Sequence, residues 1–349
     1  MFLGVRDIRR AWGRFSLLGT VVALIVLLLV MLTGLTGGLG KQNTSALEAL
    51  GPQRYVFSPE IDFVESTVSE GTEGTEGAWR ATPGVEAVTP LGVSQTSAHW
   101  GETTAAVAVF GLPAGSRVPG GGEVPEEGVL LPEGIDASGA GLPEQLSMGG
   151  VSLPVVGAAP EEYYSHLPVA WVSLTTWKEV AHASSPTVLM VEGDPQDSWR
   201  DTEEATGSTA ISVRDSFGGL AAYQSERGSL LSIQGLLYGI SALVILAFLS
   251  VWTIQRTRDI AVLRALGASR GYVLRDSLGQ AALVLSAGAA VGAGLATGLG
   301  LLARRAVPFD LSVTTVAVPA AGVLALGLLG AWLATRKVAA VDPQMALNS

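Results

Sequence analysis

The chain has 349 residues, 48% of them hydrophobic and only 15% charged, with a mean hydropathy of +0.42. That balance is too apolar for an ordinary soluble domain and points to membrane segments. There is no cysteine, which excludes disulfides and thiolate metal sites, and the net charge of −10 argues against nucleic acid as a partner.

The apolar residues are concentrated in four windows without Asp, Glu, Lys or Arg: 15–40, 228–255, 277–303 and 311–335, of 26, 28, 27 and 25 residues. Each exceeds the roughly 20 residues that cross a bilayer as a helix, so four spans are expected. Between Lys41 and Arg227 there are 8 basic and 26 acidic side chains, net −18, while the remainder carries 13 basic and 5 acidic, net +8. Basic residues flank the ends that stay in the cytoplasm. Both termini and the connector 256–275 are therefore expected inside, and residues 41–227 outside the plasma membrane.

Met1 to Arg14 reads as an amphipathic helix on the inner surface, with Phe2, Val5, Ile8 and Trp12 opposite Arg6, Arg9 and Arg10. Together with span one it makes a first section, 1–40. A cleavable signal peptide is the competing reading, but the apolar run is long for one. Gly34 and Gly38 form a small-xxx-small pair suited to close helix approach. Lys41 after Gly40 does not complete a phosphate-binding loop, because Leu35 and Gln42 stand where Gly and Ser or Thr are required. ATP is therefore expected on a separate polypeptide.

The section 41–225 reads as an α+β domain. Strands are predicted at 55–57, 105–110, 128–131, 151–156, 170–173 and 187–191, between Gly and Pro punctuation. Helices are predicted at 62–69 and 175–183, with a helical lead into span two at 212–227. The Gly-Thr-Glu repeat of 69–77 and Gly120-Gly121-Gly122 read as mobile loops. The acidic residues in them read as solvated, not as metal ligands. His99, His166 and His182 are scattered without ligand spacing and read as surface or core histidines. No nucleophile elbow, zincin or dinucleotide motif occurs, so enzymatic chemistry is not expected.

The section 226–349 holds spans two to four. Span three contains Gly288, Gly292, Gly294, Gly298 and Gly300, a pattern for a helix packed within the subunit against spans two and four. Arg304-Arg305 ends that span on the outer side, either snorkelling to lipid phosphates or meeting an anionic ligand. In the connector 256–275, Ile260, Leu263 and Leu266 recur at helical spacing opposite Arg258, Asp259 and Arg264, and Gly267 follows where a C-cap belongs.

Candidate ligand residues gather where polar groups approach the outer ends of spans one and two. Tyr223, Glu226 and Arg227 stand at i, i+3 and i+4, with Gln234 and Tyr238 further along, and Met31, Arg54 and Tyr55 lie near the end of span one and beyond. They read either as interfacial anchors or as a lateral site for a flat amphiphile bearing carboxylates. Haem fits the second description: Tyr223, Glu226 or Met31 could ligate iron, and Arg227 or Arg54 could pair a propionate.

The run Arg258-Asp259-Ile260-Ala261-Val262-Leu263-Arg264-Ala265-Leu266-Gly267-Ala268 and the ending Asp342-Pro343-Gln344-Met345-Ala346-Leu347 resemble the signatures of FtsX/MacB-type permeases of ATP-binding-cassette systems, which usually have Glu where Asp259 stands. The resemblance implies one span, a large extracytoplasmic α+β domain, then three spans. It also implies coupling of the 256–275 helix, through Arg258, Asp259, Leu263, Arg264, Leu266 and Gly267, to a cytosolic ATPase. Within that family, Met1 to Arg10 with Arg14 to Leu17, Thr33 to Leu39, and Asn43 to Ala46 resemble the Hrt-type haem-efflux permeases. That implies haem as cargo rather than as a tightly bound cofactor, and a homodimer in membrane lipid served by two ATPase copies. An exporter of peptide, antibiotic or lipid cargo, and a non-transporting FtsX-like regulator of a wall hydrolase, stay open.

Overall fold

The computed structural model describes residues 12–135, 141–255 and 269–339. The N-terminal amphipathic segment up to residue 11, the connector positions 256–268 and the Asp342-Pro343 ending lie outside the described residues. The chain divides into two units, one made by the chain up to Gly38 and from Gly228 onward, the other Leu39–Arg227.

Among the described residues, four helices are long and apolar enough to cross a membrane. They are α1 (Trp12–Leu50), which continues beyond Gly38 into the second unit, α6 (Ala221–Gln255), which starts there, α7 (Arg270–Ala303) and α8 (Val313–Ala339). They share a core of Val22, Val26, Leu29, Ile245, Leu249, Leu285, Ala296 and Val323. A Cβ at Gly288 would meet the Gly19 carbonyl at 2.7 Å, and one at Gly292 would fall on that of Ala23. Gly288 and Gly292 of span three thus seat span one, a partner the sequence did not suggest, while span three also packs along span four as expected, with Leu285 seated on Gly327. Lipid supplies no hydrophobic drive between helices, so such backbone contact is what holds them. Gly34 and Gly38 of α1 receive no helix; they face Phe309 and Pro308 of the α7–α8 loop.

The second unit is a sheet-rich α+β domain. Its strands are β1 (Arg54–Phe57), β2 (Val85–Trp100), β3 (Thr103–Leu112), β4 (Val129–Pro132), β5 (Gln145–Met148), β6 (Val151–Ala159), β7 (Tyr163–Tyr164), β8 (Leu167–Ser173), β9 (Val188–Gly193) and β10 (Thr209–Ile211). The order is β10-β1-β9-β2-β3-β8-β4-β6-β5, and β5 returns to pair with β2 at Ala98↔Met148, closing the last six strands into a barrel. The 16-residue β2 serves both halves, pairing with β9 through Val85–Leu91 and with β3 through Gly92–Trp100. Gly92 and Gly111 are partners across β2–β3, and any Cβ there would strike Trp177 of helix α3 (Leu174–Ala181). The indole lies flat on that bare patch and donates to Ser94 Oγ at 3.0 Å.

Three sequence expectations need correction. Residues 62–69 form a turn, because Asp62 Oδ1 accepts from the Val64 amide at 2.6 Å and Phe63 drops into the core against Phe57 and Tyr164. The lead into α6 is broken into α5 (Val213–Ser216), a 3-10 turn at Phe217–Gly219 and an extended Leu220, so that Phe217 and Leu220 reach the core. The Gly-Thr-Glu repeat is folded, running into helix α2 (Thr75–Arg80). Ser69 Oγ caps Thr75 at 2.9 Å, and Trp79, fully buried, donates to Ser208 at 3.0 Å. Gly74 and Gly77 are needed there because the strand of chain before them passes against their Cα atoms. Gly120–Gly122 closes a hairpin joined at Arg117↔Glu123. Helix α4 (Asp197–Thr206) and strand β2 had no counterpart in the expectations.

A Glu-specific protease should therefore spare Glu70, Glu73 and Glu76 in the native chain. Gly77→Ala should open the turn before α2 and expose these bonds to rapid cleavage, whereas equal cleavage of both proteins would mean that the repeat is loose.

Candidate functional site

The polar cluster at the end of α1 is built by a hairpin tip. β7 and β8 are joined through Ser165 and His166, both in the left-handed region with φ of 49° and 66°, a conformation that a non-glycine residue keeps only when its surroundings impose it. The imposing contacts are visible. The Ser165 amide donates to the Asn43 carbonyl at 3.1 Å, the His166 amide to the Gln42 carbonyl at 2.8 Å, and the Tyr163 amide to Ser45 Oγ at 2.8 Å. The turn is clamped onto the last turns of α1, and the imidazole is aimed accordingly.

His166 Nε2 lies 2.8 Å from Oε1 of Glu226, in the second turn of α6. Asn43, fully buried, donates from Nδ2 to the other carboxylate oxygen at 3.0 Å and to the Leu39 carbonyl at 3.1 Å. With Nε2 protonated, each oxygen of Glu226 accepts one hydrogen bond. Among the described residues, Asn43 Oδ1 is buried without a hydrogen-bond partner. The His166 and Glu226 side chains are 33% and 37% exposed, so the pair is open to an incoming group.

One turn earlier on α6, the Tyr223 ring stacks edge-on against Phe217 at 5.6 Å. Arg227 donates to its hydroxyl at 3.1 Å while the guanidinium lies 5.6 Å over the ring. The hairpin's own phenols are poor anionic ligands. Burial, then the hydrogen bond to and charge of Glu161, push Tyr163 up to about 12, and burial, then Asp62, pushes Tyr164 higher still. Arg54 turns back to the Gln53 carbonyl at 2.8 Å, and Tyr55 is buried with its hydroxyl on the Leu47 carbonyl at 2.9 Å.

Within the membrane unit, Gln234 donates to Thr33 Oγ1 at 2.7 Å. Tyr238 packs on Gly322 of α8, where a Cβ would sit 3.1 Å from its ring. Met31 is half-buried on α1. Of the coupling residues, Arg258, Asp259, Leu263, Arg264, Leu266 and Gly267 lie outside the described residues; α7 begins just beyond them at a Ser269 cap, whose Oγ accepts from the Tyr272 amide at 3.2 Å. The structure thus brings Glu226 to His166 and Asn43, and Tyr223 to Arg227. Sequence reasoning treated His166 as a bystander, since 60 residues separate it from Glu226 and no spacing rule links a hairpin tip to a helix.

Residues 231–343 match the FtsX-like permease C-terminal family. The chain is 26% identical over 359 residues to a protein of Mycobacterium tuberculosis named as an ABC transporter permease, covering 100% of this chain and 99% of that one. It is 21% identical over 356 residues to the putative hemin transport system permease protein HrtB of Staphylococcus epidermidis, with coverage of 100% and 99%. Among solved structures, the periplasmic region of MacB from Actinobacillus actinomycetemcomitans aligns at 11% identity with a TM-score of 0.34, over 48% of this chain and 92% of that one; the architecture above stands on this chain's own strands and helices.

His166→Ala and Glu226→Gln should each lower the stability of the full chain. Their double-mutant cycle should show a coupling of about 0.5–1 kcal/mol, the discounted value for a partly exposed pair. Strict additivity in denaturant unfolding would mean that the two groups do not interact.

Proposed function

We propose that this chain, a membrane permease of the ABC-transporter kind carrying an FtsX-like C-terminal domain, expels haem from the outer leaflet of the plasma membrane with energy from a separate ATPase. It works as a homodimer with two ATPase copies, its termini in the cytoplasm and its inserted domain outside.

The observation that carries the cargo assignment is the group of side chains on the first two turns of α6. Tyr223 and Glu226 offer oxygen to ferric iron, Arg227 offers a guanidinium to a propionate, and His166 with Asn43 orients the Glu226 carboxylate. A flat apolar ring with two carboxylates satisfies all of these, and a peptide has no use for an iron-ligating carboxylate. The relative named for hemin transport supports the same cargo. The drive comes from the 256–275 connector. ATP binding draws the motor subunits together against Arg258, Asp259 and Arg264, and α6, unbroken from Ala221 to Gln255, carries the displacement outward. No water-filled pore is needed.

Purified protein titrated with ferric haem should develop a saturating Soret band. Tyr223→Phe or Glu226→Gln should weaken binding at least about tenfold, or about 1.4 kcal/mol, while an unchanged spectrum of the wild type would overturn the cargo. Leu263→Asp with Leu266→Asp should abolish stimulation of the ATPase by the permease and leave membrane insertion intact; undiminished stimulation would remove the connector from the drive.

A further inference from the structure

The outer third of span one is a socket for the loop between spans three and four. Gly34, Gly37 and Gly38 of α1 all face residues 308–310. A Cβ on Gly34 would strike the Phe309 ring, one on Gly38 would fall on the Pro308 carbonyl, and one on Gly37 would lie 3.1 Å from Asp310 Cβ. The far wall of the socket is Gly300 of α7, where a Cβ would lie 2.8 Å from the same ring. Phe309 is 7% exposed. The Asp310 amide donates to the Gly34 carbonyl at 2.9 Å, a bond to a helix carbonyl from outside the helix. The loop is braced on its other side, since Ser312 Oγ caps α8 through the Thr315 amide at 3.2 Å and the Thr315 hydroxyl reaches Asp310 Oδ2 at 3.3 Å. An aromatic ring seated against two glycines gains close contact that a side chain at Gly34 or Gly300 would displace.

Span one is also joined to span three lower down, through Gly288 and Gly292, and span three to span four where Gly327 receives Leu285. Span two differs. Its most apolar window is 11% buried, against 39%, 33% and 28% for spans one, three and four. Among the described residues it meets the others mainly through Gln234, Tyr238, Ser241, Ile245, Leu246 and Leu249. At its own glycines, Gly228, Gly235 and Gly239, a Cβ would meet nothing within 4 Å among the described residues.

We infer that Phe309 is a key that locks the outer end of span one to the span three–four hairpin, so that these three helices form a fixed frame and span two is the helix that shifts against them during the transport cycle. Phe309 is a positioning residue, acting through Gly34 and Gly300 without touching cargo. The assignment of span two rests on the permease reading; the lock itself does not.

The lock is tested by thermal unfolding of the full chain in detergent. Phe309→Ala and Gly34→Ala should each lower the midpoint by about 5 °C. Gly34→Ala should cost nothing further once Phe309→Ala has emptied the socket; additive losses would overturn the key. The frame is tested by cross-linking, for which the cysteine-free chain is suited. Gly37→Cys with Asp310→Cys places sulfurs within disulfide reach. Thr33→Cys with Gln234→Cys can be bridged by a short bis-methanethiosulfonate. In the permease–ATPase complex reconstituted in nanodiscs, the first cross-link should leave ATP turnover within about twofold, and the second should reduce it at least about tenfold, reversibly with dithiothreitol. Inhibition by the first means that the key must open, and no inhibition by the second means that span two stays still; either result overturns the frame. A wrong cargo leaves ATP turnover measurable, and if no ATPase responds to the permease the unfolding cycle still decides the lock.

Discussion

The Glu226 carboxylate is the group on which the account turns. Its two oxygens are held by His166 and by Asn43, the first carried on a hairpin tip and the second on the last turns of α1. A carboxylate held on both oxygens ties, in this state, the first turns of α6 to the end of α1 and to the β7–β8 tip within the inserted domain. The cost is local. His166 sits at a positive φ, and Asn43 carries a buried, unpaired carbonyl, both features that a fold built for stability alone would avoid. Strain of this kind in a partly exposed polar cluster accords with a site that changes partners.

Glycine does in the membrane unit what the polar cluster does in the domain. Helices in lipid gain nothing from hydrophobic exclusion, and their contact depends on how closely backbones approach. Gly288, Gly292 and Gly327 allow such approach between helices, and Gly34, Gly37 and Gly38 allow it between a helix and a loop. The same residue type thus serves two kinds of partner. Span two takes little part, and the contrast between tight and loose packing is what gives a four-helix unit a direction in which to move.

The four helices were legible because a bilayer enforces long charge-free windows. Strands with dense β-branched runs, such as β3 and β9, were legible too. β2 was not, because Pro90 and Gly92 look like breaks, whereas Gly92 is there to admit Trp177. The Gly-Thr-Glu repeat looked loose for a similar reason, since glycine required for close approach and glycine required for freedom are the same letter. Tyr223, Glu226 and Arg227 were visible through their helical spacing, but His166 and Asn43 were not, because their contact with Glu226 depends on where a two-residue hairpin docks. Gln234 and Tyr238 share the helix with the candidate site yet sit on the stripe that meets Thr33 and Gly322.

In the proposed function a separate motor drives this chain to hand haem outward from the bilayer. Its most direct measurement is the transfer of haem from the membrane of proteoliposomes, oriented with the inserted domain outward and loaded inside with ATP and the ATPase, to albumin in the external medium. The account predicts transfer that requires both internal ATP and the ATPase and stops when either is withheld. Transfer at the same rate without ATP, or no transfer in the complete system, would contradict it.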